Sequence, residues 1–284
     1  MGPSIAPYYK TAGGAAFTGL IDVKSGALRY WGLRAASAAK ATALVNCIDI
    51  VDQAGANPLT VTVLANGNLD IASINTWVTA HSVSTIKITQ LYEQLGSTEH
   101  AVQATLANMP TLILSDALAN SRPAINFDPS VSPQGLIVAG SPFYEFGSIS
   151  WVGYRIGTTL GQVVSGSSGA SIGSNAAATG LYSGVSGTLS PAQSDGSPHA
   201  AQFVLNGASA FVNIDGSVTS GTVSGGAGDY GSIFGKNASF PYTGRMFEAG
   251  YWGGFFTGPV AGDFFTSGEA SSLRTNQSAY FGTP

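Results

Sequence analysis

Apolar and polar residues alternate with a period of two along much of this chain, most regularly after residue 130. Such alternation is typical of strands that bury one face. The clearest example is the pair of runs AAQFVLN and SAFVNIDG, which Asn206-Gly207 connects. Asn-Gly suits the positive φ angles of a tight hairpin turn, and Asp215-Gly216 ends the second run with similar turn chemistry. The pattern therefore predicts short antiparallel strands.

Two segments follow helical spacing instead. The first is Leu69–His81, with Asp70 as its predicted N-cap. Its apolar positions are Ile71, Ile74, Trp77 and Val78. The second lies at the C-terminus, where Thr266 and Glu269 have the spacing of a capping box. We therefore expect one or two short helices in a mainly β protein.

The spacing of the elements predicts the architecture. Strand signals after residue 130 recur about every 8–12 residues, as they do in sandwiches. The Gly- and Ser-rich segments 165–180 and 217–231 fit loops and edge strands of such a fold. Residues 1–26 are punctuated by Gly, Ala and Pro and predict an N-terminal arm. Residues 27–284 then form a single antiparallel jelly-roll sandwich.

The charge composition excludes several classes of protein. The 284 residues include 11 Lys+Arg and 15 Asp+Glu, so charged residues make up 9 % of the chain and the net charge is −4. About 25 % is usual, and without a basic excess we expect no nucleic-acid partner. Hydrophobic residues at 44 % are enough for a core, which excludes disorder. No apolar run reaches about 18 residues and no export signal is recognisable, so we expect no membrane partner.

Residues that bind metals or cofactors are scarce. The lone Cys47 lies in an apolar run, which predicts a small buried hydrophobe and excludes a disulfide framework or a multi-thiolate zinc site. The three histidines form no closely spaced metal-binding pair, and we expect each on a surface or in a loop: His81, His100 and His199. The Gly-rich runs lack the Lys-Ser/Thr of a phosphate loop. The sequence predicts no metal and no cofactor.

Acidic and aromatic residues supply the remaining candidate chemistry. Three acidic residues lie beside aromatics, namely Glu93, Glu145 and Glu248. Glycosidases need two carboxyl groups about 5–5.5 Å or 6.5–9.5 Å apart, and the alternative for each residue here is local backbone capping or pairing. Exposed aromatic rings stack on sugar faces. The candidates for this role are Tyr182, Tyr230 and Tyr242, whereas Trp151 is predicted in the core.

Two stretches resemble a known family. The segments LRYWGLRAASAAKATALVNCIDI and ITQLYEQLGSTEHAVQATLANMPTLIL are similar to the jelly-roll module of fungal α-L-arabinofuranosidase B and its bacterial and phage relatives. Tyr92–Gly96 corresponds to the YDQSG motif of that family. The later segment SIFGKNASFPYTGRMFEAGYW resembles its closing strand and the general pattern of concanavalin A-like and laminin-G-like sandwiches. The resemblance implies one continuous concanavalin A-like fold.

Departures from the family pattern affect the expected activity. The enzymes of the family carry a vicinal cysteine pair, whereas this chain has only Cys47. They also carry an acid/base Asp in a GGDNS turn, where this chain has Gly235-Lys236-Asn237-Ala238-Ser239. Neither lysine nor asparagine acts as a carboxylic acid at neutral pH. These departures predict a retained fold without catalytic residues, and therefore a protein that is not an enzyme.

Non-enzymatic relatives of this module occur in tailed bacteriophages. We therefore predict a virion structural protein, a head-decoration, tail or fibre component, made in the host cytoplasm. Low charge fits packing against identical copies and other virion proteins, since interface centres are depleted in Lys, Glu and Asp. One alternative is a lectin-like module that binds host glycans through the three tyrosines. The other is a glycoside hydrolase that uses Glu93 and Glu248, because fold alone does not assign function.

The virion hypothesis predicts a regular position on a particle. Antibody against the chain is expected to label phage heads or tails at fixed sites in immunogold electron microscopy, with antibody against an unrelated protein as control. A chain that stays monomeric at high concentration, and whose incorporation survives deletion of residues 1–26, would contradict the hypothesis.

Overall fold

The computed structural model describes most of the chain, with gaps that fall mainly after residue 128. The described residues are 16–128, 134–138, 147–156, 161–165, 171–174, 179–182, 188–189, 196–205, 210–222, 233–235, 242–253 and 264–284. The short strands between 161 and 189 are described by their backbone.

Strands form most of the described structure. In chain order the strands are β1 (Arg29–Gly32), β2 (Asn46–Val51), β3 (Leu59–Thr62), β4 (Lys87–Leu91), β5 (Ala101–Val102), β6 (Thr111–Asp116), β7 (Arg122–Phe127), β8 (Leu136–Val138), β9 (Gly147–Arg155), β10 (Gly161–Ser165), β11 (Ser171–Ser174), β12 (Thr179–Tyr182), β13 (Thr188–Leu189), β14 (His199–Leu205), β15 (Ala210–Ile214), β16 (Ser217–Gly221), β17 (Ile233–Phe234) and β18 (Gly244–Trp252). The helices are α1 (Leu20–Val23), α2 (Ala38–Thr42), α3 (Ile71–His81) and α4 (Ser267–Phe281).

The strands pair antiparallel in two runs that face each other. One run has the order β16-β15-β14-β9-β18, and β18 continues to β1 and to β7-β6. The other has the order β3-β2-β4-β5-β8-β17-β10-β11-β12-β13. The pair Lys87↔Thr111 joins β4 to β6. The predicted mainly β, antiparallel sandwich is therefore confirmed.

Side chains of both runs form the principal core. From the first run, Trp151, Phe203 and Tyr251 are buried in it. From the second, Ile48 and Phe234 pack into the same cluster. Alternate residues of β9 face the other way, where α4 covers them. The sandwich is thus layered as helix, sheet and sheet on that side.

The two longer helices begin and end as the sequence predicts. The Asp70 side chain accepts a hydrogen bond from Ser73 N at the start of α3. At the start of α4, the Thr266 and Glu269 side chains each bind the other residue's backbone N–H. The Ala-rich segment Ala35–Ala43 also admits a short helix from its sequence, and α2 forms within it, whereas the one-turn helix α1 was not predicted. No helix in the described ranges is long and apolar enough to cross a membrane.

One of the two predicted hairpin turns lies within the described residues. Asp215 and Gly216 both have positive φ, 51° and 92°, and lie between the paired residues Ile214 and Ser217. They therefore form a two-residue hairpin turn, as predicted. Asn206-Gly207 lies outside the described residues. The strands on either side of it, β14 and β15, pair antiparallel as the prediction requires.

Cys47 is fully buried, as its apolar surroundings predict. Its Sγ lies 3.1 Å from the backbone oxygen of Gly32. Burial raises the pKa of the thiol, because the thiolate would lose its hydration. Cys47 is therefore a core residue rather than a reactive thiol.

Part of the predicted N-terminal arm belongs to the packed domain. Leu20 is fully buried in a cluster with Trp252 and Leu273, and Ile21 N donates to Ala36 O at 2.9 Å. Residues 17–23 therefore pack against the sheet and α4, which corrects the boundary placed at residue 26. Residues 1–15 lie outside the described residues.

The N-cap of α3 is testable by substitution. Asp70→Ala is expected to lower the free energy of unfolding by about 1 kcal/mol, because Ser73 N loses its acceptor. Urea denaturation measures the difference. Asn75→Ala, on the exposed side of the same helix, is the matched control and should change stability by less than about 0.5 kcal/mol. Equal effects of the two substitutions would contradict the assigned cap.

Candidate functional site

A buried ion pair joins Arg34, in the segment after β1, to Glu248 of β18. Arg34 is 1 % exposed and Glu248 is 0 % exposed, and the guanidinium binds both carboxylate oxygens at 2.6 and 2.9 Å. Tyr30 OH donates to Glu248 at 2.7 Å, and Gln277 Nε2 of α4 donates at 2.9 Å. The carboxylate of Glu248 therefore has four internal donors and no exposure to solvent.

The same network fixes the C-terminal helix. Arg34 also donates to Asn276 Oδ1 at 2.8 Å, and its guanidinium lies 4.6 Å from the centroid of the Tyr280 ring. Burial lowers the pKa of Arg34, but the charge of Glu248, the hydrogen bond to it and the neighbouring tyrosines together raise this pKa above its ordinary value. Burial, with the charge of Glu248, raises the pKa of Tyr30. Both side chains therefore keep their protons and act as donors.

Glu93 is also committed to internal contacts. Its carboxylate accepts hydrogen bonds from the backbone N–H groups of Leu95, Gly96 and Ser97 in the following turn, at 2.8 to 3.0 Å. A fourth bond comes from Tyr30 N at 2.9 Å. Glu93 thus closes its own turn and joins it to β1. This is the local backbone capping that the sequence left open as the alternative.

These contacts correct the proposed catalytic pair of Glu93 and Glu248. A general acid or nucleophile must reach the substrate, whereas both carboxylates are buried and bound to internal donors. The aromatic residues next to Glu93 and Glu248 in the sequence therefore do not indicate a catalytic pair. Glu145 lies outside the described residues.

Two other polar contacts lie near α4. Tyr154 OH donates to Asp116 Oδ2 at 2.7 Å, and burial together with this bond raises the pKa of Tyr154 to about 12. His199 pairs with Asp215 through Nδ1. The prediction that His199 lies on a surface or in a loop is wrong, because it belongs to β14 and is 5 % exposed.

An accessible group of polar side chains lies on the other run of strands. We name this group the Tyr92 face, and its members are Asp49, Thr60, Gln90, Tyr92 and His100. Asp49 of β2 stands directly opposite Thr60 of β3 and Gln90 of β4. Residues directly opposite in antiparallel strands share a face of the sheet. Thr60 is exposed and the other four are partly exposed.

Hydrogen bonds order the Tyr92 face. Tyr92 OH donates to Asp49 Oδ2 at 2.9 Å and Thr60 Oγ1 donates to Asp49 Oδ1 at 2.6 Å. Burial and the bond to Asp49 raise the pKa of Tyr92, so its hydroxyl stays protonated. The rings of Tyr92 and His100 pack at a centroid distance of 4.8 Å. The face therefore combines an aromatic pair with an oriented carboxylate.

The predicted sugar-stacking tyrosines are not brought together by the described structure. Tyr242 is 1 % exposed, and its OH donates to Tyr154 O at 2.7 Å inside the core, so its ring is not accessible to a sugar. This removes Tyr242 from the candidates. The backbone of Tyr182 ends β12, its side chain lies outside the description, and Tyr230 lies outside it entirely. Trp151 is buried, as predicted.

Sequence reasoning missed the Tyr92 face. Asp49 interrupts the apolar run NCIDIV, and a charged residue inside a strand indicates that one side of the strand meets solvent. Tyr92 precedes Glu93 in the matched YEQLG motif but is not among the predicted sugar-stacking tyrosines. The register that places Thr60 and Gln90 beside Asp49 depends on long-range strand pairing. Local sequence patterns therefore indicate only that Asp49 meets solvent.

The structure gives no support for a metal centre within the described ranges, where no three His, Cys, Asp or Glu side chains group together. The turn matched to the family's acid/base position is described only at Gly235. Lys236, Asn237, Ala238 and Ser239 lie outside the described residues.

Three solved structures share this fold. A mutant GH54 α-L-arabinofuranosidase soaked with 4-nitrophenyl α-L-arabinofuranoside matches 93 % of this chain, with a TM-score of 0.64 and 14 % identity. A GH54 α-L-arabinofuranosidase with a cyclic sulfate inhibitor matches 93 % at a TM-score of 0.63 and 14 % identity. An arabinofuranosidase complexed with arabinofuranosyl-α-1,2-xylobiose also matches 93 %, at 0.65 and 14 %.

These matches establish the fold. No protein-family model and no curated protein sequence matches the chain. The match spans 66 % of the chain length of the first two enzymes and 65 % of the third, slightly less than two thirds. The predicted resemblance to the arabinofuranosidase jelly-roll module is therefore confirmed for the β-sandwich. The comparisons give no support for a phage context.

The prediction that this chain is not an enzyme is corrected. It rested on the missing vicinal cysteine pair and on Lys236 and Asn237 in the turn matched to the acid/base position. The structures that share the fold over 93 % of the chain are glycoside hydrolases.

The buried ion pair predicts a strongly non-additive response to substitution. Glu248→Ala is expected to lower the free energy of unfolding by about 3–5 kcal/mol, because it leaves Arg34 charged, buried and uncompensated. The double variant Arg34→Met, Glu248→Leu should lose less than the sum of its single substitutions. Lys24→Ala, which removes a partly exposed ion pair with Glu269, is the control and should cost less than about 1 kcal/mol. Urea denaturation measures the unaltered chain and all five variants, and additivity would contradict the assigned coupling.

Proposed function

We propose that this chain is a carbohydrate-active protein that recognises glycans carrying α-L-arabinofuranosyl groups. The observation that carries the proposal is the fold match over 93 % of the chain to three arabinofuranosidase structures. The comparisons show similarity of fold, and the ligand class is what we propose in addition. One of these enzymes was soaked with an arabinofuranoside and another is in complex with an arabinofuranosyl oligosaccharide.

The surface chemistry supports a neutral ligand. Charged residues make up 9 % of the chain, while Gly alone contributes 38 residues. Recognition of a neutral sugar relies on hydroxyl, amide and carboxylate hydrogen bonds with apolar contacts, rather than on a charged surface. The described part of the chain supplies such groups on a sheet, where strand geometry holds them in place.

Glycoside hydrolysis is the second candidate function. It is favoured because the three structures that share the fold are hydrolases. Glu93 and Glu248 are buried and bound internally, so hydrolysis here would use other carboxylates. Of the other acidic residues, four lie outside the described residues, namely Glu145, Asp195, Asp229 and Asp263. Assembly on a bacteriophage particle stays a prediction from the sequence, without support from the comparisons.

Binding and hydrolysis are tested together on the whole chain. Isothermal titration with arabinofuranosyl-α-1,2-xylobiose is expected to show binding at least about tenfold tighter than with unbranched xylobiose, because the added ring and its hydroxyls supply further contacts. Release of 4-nitrophenol from 4-nitrophenyl α-L-arabinofuranoside tests hydrolysis, with the β-D-xylopyranoside as control. Equal affinity for the two oligosaccharides, or binding to neither, would overturn the proposed recognition. Turnover of the arabinofuranoside alone would support the second function, and turnover of neither glycoside would overturn it.

A further inference from the structure

We propose that the Tyr92 face is a glycan-binding surface that takes one sugar ring of a neutral oligosaccharide. The inference rests on the proposed function for its ligand class. It adds a location in the described structure and names the groups that contact the sugar. Four features of the face support it: the ring pair, the carboxylate, the imidazole donor and the strand register.

The ring pair supplies an apolar contact. The rings of Tyr92 and His100 lie 4.8 Å apart and tilted by 56°, and both are partly exposed. A sugar ring presents C–H groups on its face, and their burial against an aromatic ring removes apolar surface from water. The hydrogen bond from Tyr92 OH to Asp49 fixes the orientation of the Tyr92 ring before a ligand binds.

Asp49 supplies unused acceptors. A carboxylate has about four lone-pair positions, and among the described residues its oxygens receive one bond each, from Tyr92 OH and Thr60 Oγ1. The Asp49 side chain is partly exposed, so a ligand can reach it. Two adjacent sugar hydroxyls match a carboxylate in this arrangement, and a hydrogen bond to a charged acceptor is stronger than a neutral one.

His100 supplies a donor with a defined position. Its Nδ1 accepts a hydrogen bond from Glu93 N at 3.1 Å. A neutral imidazole carries one proton, so that proton lies on Nε2, which becomes a donor. Nε2 has no hydrogen-bond partner among the described residues. The turn closed by Glu93 thus fixes both the ring position and the tautomer.

The strand register brings these groups within reach of one ligand. Thr60, Asp49 and Gln90 lie side by side on three neighbouring strands. Adjacent strands are about 4.8 Å apart, so the three side chains span about the width of a sugar ring and its hydroxyls. The hydroxyl of Thr60, the carboxylate of Asp49 and the amide of Gln90 can together accept hydrogen bonds from sugar hydroxyls and donate hydrogen bonds to them. The five members of the face include one carboxylate and no lysine or arginine, which favours a neutral glycan over an anionic one.

The experiment compares variants of the whole chain by affinity electrophoresis in soluble arabinoxylan. Tyr92→Ala is expected to weaken binding at least about tenfold, because the stacking ring and the support of Asp49 are both lost. Tyr92→Phe keeps the ring and should weaken binding only about threefold. Gln90→Ala, which leaves the core untouched, should also weaken it and covers the case in which Tyr92→Ala fails to fold. Val218→Ala, an exposed apolar residue on β16, is the matched control and should bind as the unaltered chain does.

The outcomes separate this inference from the proposed function. If the unaltered chain retains arabinoxylan binding and every folded variant binds equally, the Tyr92 face is not the binding surface while the proposed function stands. If the unaltered chain binds no arabinofuranosyl glycan, the proposed function fails, and this inference fails with it. Weaker binding by Tyr92→Ala and Gln90→Ala, with unchanged thermal melting and an unaffected control, supports the surface. Stronger binding of polygalacturonate than of arabinoxylan would overturn its assignment to neutral glycans.

Discussion

The packing of this sandwich depends on the buried ion pair between Arg34 and Glu248. An ion pair without solvent is stable only when every remaining donor and acceptor is used. Here Tyr30 and Gln277 complete the shell of Glu248, and Asn276 takes a further bond from Arg34. The pair and its partners therefore join β1 and β18 to the helix that covers them. Through Tyr30 N the same network reaches Glu93, whose carboxylate closes the turn after β4.

This network separates structural carboxylates from accessible ones. Glu93 and Glu248 are bound by internal donors, and their burial keeps them from a substrate. Asp49 faces solvent on the opposite run of strands and keeps acceptor positions open. The turn closed by Glu93 also positions His100, because Glu93 N donates to the imidazole. A structural residue of the family-like YEQLG segment thus orders a neighbouring surface without contacting a ligand.

Local patterns predicted the elements that local interactions determine. The caps at Asp70 and Thr266 and the turn at Asp215-Gly216 each depend on residues within a few positions, and all three form as expected. Tyr242 is buried although an accessible ring is predicted, and His199 is buried in β14 although a surface or loop position is predicted. Nearby residues do not show which side chains are covered by distant parts of the chain. The ion pair spans 214 positions, and the Tyr92 face depends on strand register, so neither is readable from nearby residues.

The residues of one matched turn and the overall fold match support different conclusions about the activity of this chain. The turn with Lys236 and Asn237 argued against hydrolysis because a carboxyl was missing at one matched position. A fold shared over 93 % of the chain constrains the general placement of strands, whereas 14 % identity leaves the side chains at their ends open to change. A single missing group therefore excludes one catalytic arrangement rather than every one. A sheet tolerates such a change because most of its stability comes from the buried core. The recognition proposed for the Tyr92 face and the hydrolysis proposed as a second function are accordingly separate hypotheses about one sandwich.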